Sequence, residues 1–170
     1  MTERPHRDEA AEYYFKYIDL VPDGDIVRTL TAQHRETLAL LREISQDKSA
    51  HRYAPDKWSL RQMLSHMIDC ERLFVFRALW FARGFDSPLP SFEQEVASAA
   101  DGAEARTWES LVAEFDASRT ASIAFFAGLP PEAWDRRGIA SGYPFSVRAL
   151  AWLTAGHVTH HTAIIRAKYL

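Results

Sequence analysis

The placement of glycine and proline is the feature of this sequence that most constrains its fold. Its 170 residues include only seven glycines and eight prolines. These cluster between long stretches in which apolar residues recur every three or four positions. Such spacing is typical of amphipathic helices, whereas a half-buried strand alternates apolar and polar residues. We therefore predict an all-α protein.

The periodic stretches predict four long helices. They run from about residue 25 to 44, from 59 to 84, from 107 to 127, and from 146 to the end of the sequence. Ser59 and Gln62 have the spacing of a capping box, which marks the start of the second helix. Shorter helices are predicted within residues 8–18 and 91–100. Helices of about 20 residues joined by long connections favour a four-helix bundle with short accessory helices.

Length and composition indicate one folded domain. A chain of this size matches a single domain, so we assign residues 1–170 to one unit, with residues 1–22 as an N-terminal extension. Hydrophobic residues make up 47% of the sequence, which is enough for a core and excludes intrinsic disorder. The net charge is -3, and its signs are interspersed, so we expect no direct contact with nucleic acid.

Cysteine content and hydropathy predict where the protein is found. Cys70 is the single cysteine, so no intrachain disulfide can form. The N-terminus lacks the apolar segment of a signal peptide. No stretch approaches the roughly 20 apolar residues that span a bilayer. We therefore expect a soluble, cytoplasmic protein without a membrane partner.

Three of the seven histidines occupy inward positions on two predicted helices. His157 and His161 lie one turn apart on the last helix, with Cβ atoms about 6 Å apart on one face. His66 lies on the inward face of the second helix. Burying three imidazoles in an apolar bundle is unfavourable unless something uses their lone pairs, as a divalent metal does. The alternative is that each is a core histidine bonded to a neighbouring carbonyl or carboxylate.

Further polar residues on these helices are candidates for binding or catalysis. His160 is about 60° off the line of the inward pair, and His34 lies on the apolar stripe of the first helix. Both are candidates for a general base, although a core role for His34 is simpler. Cys70 could be a soft ligand, a reactive thiol or a small buried hydrophobe. Arg77 is a candidate for binding an anionic cofactor or substrate, and a salt bridge with a helix carboxylate is its plainer use.

Several catalytic motifs are absent from the sequence. It contains no nucleophile elbow GxSxG, no phosphate-binding glycine loop, no HExxH pair and no CxxC. The Glu-x-x-His pattern of di-iron bundles is also missing from the predicted helices. The chemistry that remains is a mononuclear site with three histidines.

Three segments resemble the DinB/YfiT-like superfamily. Residues 57–72, which contain Lys-Trp-Ser and Ser-His-Met-Ile-Asp, are similar to the first histidine motif of that family. Residues 89–94 are similar to the connection after that helix. Residues 129–161, which end in Gly-His-Val-Thr-His-His, are similar to its C-terminal segment. The resemblance extends over about residues 25–169 and implies a four-helix bundle that is often homodimeric.

The resemblance also implies a metal site. In the family, one histidine of the second helix and two histidines four apart on the last helix bind a divalent metal, which implies His66, His157 and His161 here. Zinc, nickel, iron and manganese all suit three imidazoles.

Characterised relatives include thiol-dependent transferases and a mycothiol-dependent isomerase. The resemblance therefore implies an enzyme that transfers a low-molecular-weight thiol to a small-molecule substrate. The alternatives are a metal-dependent hydrolase and a non-catalytic metal-binding or dimerising protein of a stress response.

Overall fold

The computed structural model describes residues 3–170, which contain seven α-helices. These are α1 (Glu12–Ile18), α2 (Ile26–Arg42), α3 (Gln46–Ser49), α4 (Leu60–Ala82), α5 (Gln94–Ala100), α6 (Trp108–Ala127) and α7 (Val147–Ile164). The four longest, α2, α4, α6 and α7, form the bundle, and a short π-helical segment follows α7. The predicted all-α four-helix bundle is confirmed, and the accessory helices α1 and α5 lie within the two segments predicted for them.

Polar side chains fix the start of each long helix. Asp25, Ser59, Thr107 and Ser146 each accept a hydrogen bond from a backbone N–H in the first turn of the helix that follows. The Gln62 side chain in turn accepts from the Ser59 backbone N–H at 3.2 Å, which completes the predicted capping box. Because these caps satisfy N–H groups that have no partner within the helix, the helix starts agree closely with the sequence prediction.

A short hairpin before α7 was not predicted. Strand β1 (Arg137–Ala140) pairs antiparallel with β2 (Tyr143–Ser146). Ser141 and Gly142 form the turn, with φ of 54° and 79°. The backbone N–H of Leu89 donates to the carbonyl of Ile139, and the carbonyl of Leu89 accepts from the N–H of Ser141. The loop after α4 therefore lies beside this turn. Neither four-residue strand buries alternate residues, so the sequence shows no strand pattern here.

Helix α7 lies at the centre of the fold. It packs against α1, α2 and α4, while α4 also packs against α6. Helix α1 approaches α7 so closely that a Cβ placed on Gly156 would be 2.1 Å from the carbonyl oxygen of Tyr17. The largest fully buried apolar side chains include Trp152, Phe15, Phe81, Phe115, Phe126 and Phe145. No helix between residues 3 and 170 has both the length and the apolar character that crossing a bilayer requires.

A buried ionic network joins the four long helices. Arg119 of α6 is fully buried, and its Nε lies 2.9 and 3.0 Å from the two carboxylate oxygens of Glu71 on α4. Its Nη1 donates to Gln33 of α2 at 2.7 Å. The Gln33 amide then donates to the carbonyl of Ala155 and the hydroxyl of Thr159 on α7, each at 2.8 Å. Both charges of this network therefore have a partner, as their low-polarity surroundings demand.

Candidate metal site

Three histidines from two helices converge between α4 and α7. One ring nitrogen from each of His66, His157 and His161 lies within 4.8 Å of the other two. The Nε2 atoms of His157 and His161 are 3.1 Å apart, and both rings are centred 5.0 Å from the His66 ring. All three side chains are buried, with exposures of 5 to 8%. The structure thus brings together the three residues that helical spacing selected.

Aromatic side chains enclose this cluster. Trp58 lies beside His66, with ring centres 4.8 Å apart. Phe74 and Tyr17 lie 5.6 and 5.5 Å from the His157 ring, each edge to face. Tyr17 comes from α1, whose seven residues are too few to give a secure pattern, so its place at the site was not predicted. These rings restrict the access of water to the imidazoles.

Burial keeps the three imidazoles neutral. It lowers the pKa of His66 to about 4. Burial, followed by the nearby His66 and His160, lowers the pKa of His161 to about 3. The pKa of His157 lies well below its ordinary value for the same reason, with His161 and His66 adding to the effect. Near neutral pH the rings therefore offer unprotonated nitrogens, the form that binds metal.

The donor set fits a divalent metal. Ligand nitrogens about 2.0–2.1 Å from one ion lie roughly 3.3 Å from each other in a tetrahedral site, close to the 3.1 Å between His157 and His161. Nδ1 of His161 is buried and has no hydrogen-bond partner within residues 3–170. An ion held at Nε2 would leave the ring proton of His161 on this Nδ1.

Cys70 lies next to the three histidines but is not one of the converging donors. Its Sγ is 3.6 Å from Nε2 of His66. Burial raises the pKa of the thiol to about 12, with Asp69 adding to the shift. A neutral, buried thiol agrees with the simplest of the sequence interpretations, a small hydrophobic side chain.

The two candidates for a general base lie in different places. His160 is half-buried beside the site, with its ring 5.0 Å from that of His161. His34 does not reach the site. Its Nε2 lies 2.8 Å from a carboxylate oxygen of Asp116 on α6. His34 is not among the converging donors, and its face of α2 contacts α6 as well as α7.

Arg77 is buried on α4, with 2% of its surface exposed. Its Nη2 donates to the carbonyl of Pro90 at 3.0 Å and to Oγ of Ser141 at 2.8 Å. Within residues 3–170 it forms no ion pair, so the plainer use predicted for it, a salt bridge, is wrong. The hairpin that brings Ser141 to Arg77 gave no signal in the sequence.

Comparison with known proteins places the fold. A family model described as the DinB superfamily matches residues 29–165. YfiT from Bacillus subtilis, described as a probable metal-dependent hydrolase with an unusual four-helix bundle topology, superposes with a TM-score of 0.68 at 16% identity. The match covers 95% of this chain and 91% of YfiT. No curated protein matches the chain.

Two further solved structures share the fold. The DinB-like protein YjoA from Bacillus subtilis has a TM-score of 0.60 at 21% identity, with 84% of this chain and 87% of YjoA covered. The mycothiol-dependent maleylpyruvate isomerase has a TM-score of 0.64 at 15% identity, with 88% of this chain covered. The match spans only 59% of the isomerase. At these identities the likeness shows the fold alone.

Proposed function

The chain belongs to the DinB superfamily, and from this membership and its converging histidines we propose that it is a divalent-metal-dependent enzyme. One observation carries the proposal: His66, His157 and His161 are buried and neutral, and each brings a nitrogen within 4.8 Å of the others. Three imidazoles leave at least one coordination position for another ligand. Zinc, nickel, iron and manganese all accept such donors.

A divalent ion held by these histidines supplies Lewis acidity to a thiol, a water molecule or a substrate atom. The protein supplies the surroundings. Burial keeps the imidazoles unprotonated, and the rings of Trp58, Phe74 and Tyr17 limit competing water.

We favour transfer of a low-molecular-weight thiol to an electrophilic small molecule. No carboxylate or hydroxyl of residues 3–170 hydrogen-bonds to any of the three imidazoles. Hydrolysis benefits from a general base that takes a proton from water, whereas a thiol ionises far more readily than water. Hydrolysis is the second candidate, because half-buried His160 lies next to His161 and could accept that proton. The third is a binding role without turnover.

Metal content tests the site. We expect the purified protein to retain a divalent metal, and His66→Ala, His157→Ala and His161→Ala each to lose most of it and to unfold at lower temperature. His160→Ala is the matched control, because it removes an imidazole from the same helix but outside the cluster. Equal loss in all four variants, or in none, would contradict the proposed site.

A cobalt-substituted sample tests the chemistry. Binding of a thiol to the ion should add a sulfur-to-cobalt charge-transfer absorption, and conjugation of a model electrophile should exceed that of the metal-free protein. Turnover should disappear in His66→Ala while the helical content stays unchanged. If thiols give no such band and ester or amide substrates are cleaved, the hydrolase is supported. Metal binding with neither activity supports the binding role.

We also propose that the protein forms a homodimer. An apolar groove between α4 and α6 supports this, since Phe76 and Leu79 are 48 and 38% exposed there. Exposed apolar patches mark interaction surfaces. Phe76→Glu should then shift the protein to monomer in sedimentation, and a wild-type monomer at micromolar concentration would remove this proposal.

A cytoplasmic location rests on the single cysteine, and a stress-response role rests on the family resemblance.

A further inference from the structure

Arg77 carries a buried positive charge that no carboxylate of residues 3–170 neutralises. Nε is buried without a hydrogen-bond partner, and Nη1 also donates to nothing in the described chain. The other fully buried arginine, Arg119, faces the carboxylate of Glu71 instead. Burial lowers the pKa of Arg77, but a guanidinium remains protonated in proteins. Because an unpaired buried charge is strongly unfavourable, this arrangement indicates that an anion belongs beside Arg77.

Ser141 adds a second donor at the same place. Its Oγ accepts a hydrogen bond from Arg77, and its own O–H has no acceptor within residues 3–170. Ser141 is also the single non-glycine residue of the described chain with a positive φ, 54°, a conformation that L-residues avoid. This disfavoured backbone holds the hydroxyl over the guanidinium. Ser141 is half-buried and Pro90 is exposed, so the pair lies near the surface.

Helix α4 places Arg77 in line with the histidine site. Two buried residues lie between them on this side of α4: Cys70 contacts His66, and the Phe74 ring lies 5.6 Å from the ring of His157. The Cα atoms of His66 and Arg77 are about 16 Å apart along the helix. Both side chains lean toward the N-terminus of the helix, so only the greater length of the arginine brings its guanidinium nearer to the imidazole than the Cα atoms are. A molecule with ends on the order of 10 Å apart could therefore reach both places.

We propose that Arg77 and Ser141 bind the carboxylate of an extended small molecule whose other end reacts at the three-histidine site. This inference rests on the proposed function and names its substrate class. The guanidinium and the hydroxyl each supply a charge-assisted hydrogen bond to one carboxylate group. The carboxylate of the ligand supplies the counter-charge that Arg77 lacks and accepts a hydrogen bond from its Nε.

Matched thiols test this subsite. Mercaptohexanoate and mercaptohexanol have the same length and differ in charge. On the cobalt-substituted protein we expect the carboxylate to bind roughly 10- to 100-fold more tightly than the alcohol. Arg77→Met should abolish this preference, and Arg83→Met, which removes an exposed arginine just after α4, should retain it. No preference in the wild type, or the same preference in Arg77→Met, would overturn the proposal.

Ser141→Gly provides a test that does not depend on Arg77→Met folding. Glycine accepts the positive φ, which offsets part of the stability lost with the hydrogen bond from Arg77, so this variant should remain folded. It also removes the hydroxyl donor, so its affinity for mercaptohexanoate should fall several-fold. A purely structural serine would change stability alone, and unchanged affinity would therefore refute the shared subsite.

A metal-free measurement separates this proposal from the proposed function. Calorimetric titration of hexanoate into the metal-free wild type and Arg77→Met should show binding that depends on Arg77. That result supports the subsite even if thiols fail to bind cobalt, which would overturn only the thiol-transfer function. Binding that is equal in both proteins, or absent from both, counts against the subsite.

Discussion

The buried Glu71–Arg119 ion pair makes a testable contribution to the free energy of unfolding. We expect Arg119→Met to lower the free energy of unfolding by about 3–5 kcal/mol, the usual cost of leaving one member of a buried ion pair alone. The structure supports the full cost, because Glu71 is 2% exposed and Arg119 is completely buried. Methionine fills much of the space of the arginine stem, so little of the loss would come from a cavity.

A double substitution separates charge from packing. Glu71→Leu combined with Arg119→Met removes both charges, so we expect most of the lost stability to return. Some loss should remain, because Gln33 loses the hydrogen bond from Arg119. The matched control is Arg72→Met, which breaks an ion pair with Glu114 at 2.7 Å in which Arg72 is 53% exposed. An exposed pair of this kind should contribute less than about 1 kcal/mol.

Urea unfolding monitored by circular dichroism gives all of these values, provided that the slope with denaturant stays constant across the variants. The reasoning would be refuted if Arg119→Met cost less than about 1 kcal/mol. It would also be refuted if the double variant were no more stable than Arg119→Met, because the loss would then come from packing rather than from an uncompensated carboxylate.

Three further predictions concern the elements that surround the site. Gly156→Ala should cost about 1–3 kcal/mol in thermal unfolding, because the new Cβ would overlap the Tyr17 backbone; greater stability, as alanine normally gives a helix, would contradict that contact. Burial acts to raise the pKa of Glu9, but hydrogen bonds from Ser146, a backbone N–H and an arginine outweigh it and lower that pKa below 4.5. The stability that the Glu9 carboxylate contributes is therefore present above pH 4.5 and is lost as the pH falls through the lowered pKa. The loss of unfolding free energy in Glu9→Gln, measured in urea titrations, should therefore become smaller in acid. A loss that does not change with pH would contradict this prediction. Ser59→Ala should cost about 0.5–2 kcal/mol in the same titrations through loss of the α4 cap, and no measurable change would show that the cap is redundant.

Helical spacing was sufficient to predict the parts of the site that lie on long helices. His157 and His161 are one turn apart, and the strong start of α4 at Ser59 fixes the direction of His66. Contacts made by short or irregular segments could not be predicted from the sequence. Ser141 reaches Arg77 through a hairpin of four-residue strands. His34 shows a related limit, since periodicity identifies an inward face but does not say which of two neighbouring helices that face meets.

The division of the three histidines between α4 and α7 has a kinetic consequence for any ion that they hold. His66 and His157 are separated by roughly ninety positions, so an ion bound to both closes a long loop and acts as a non-covalent cross-link. His157 and His161 alone offer only two donors within one turn of helix. Full release therefore breaks bonds to both helices, and a bound ion resists any motion that separates α4 from α7. Removing the ion with a chelator should therefore speed the unfolding of the bundle in urea.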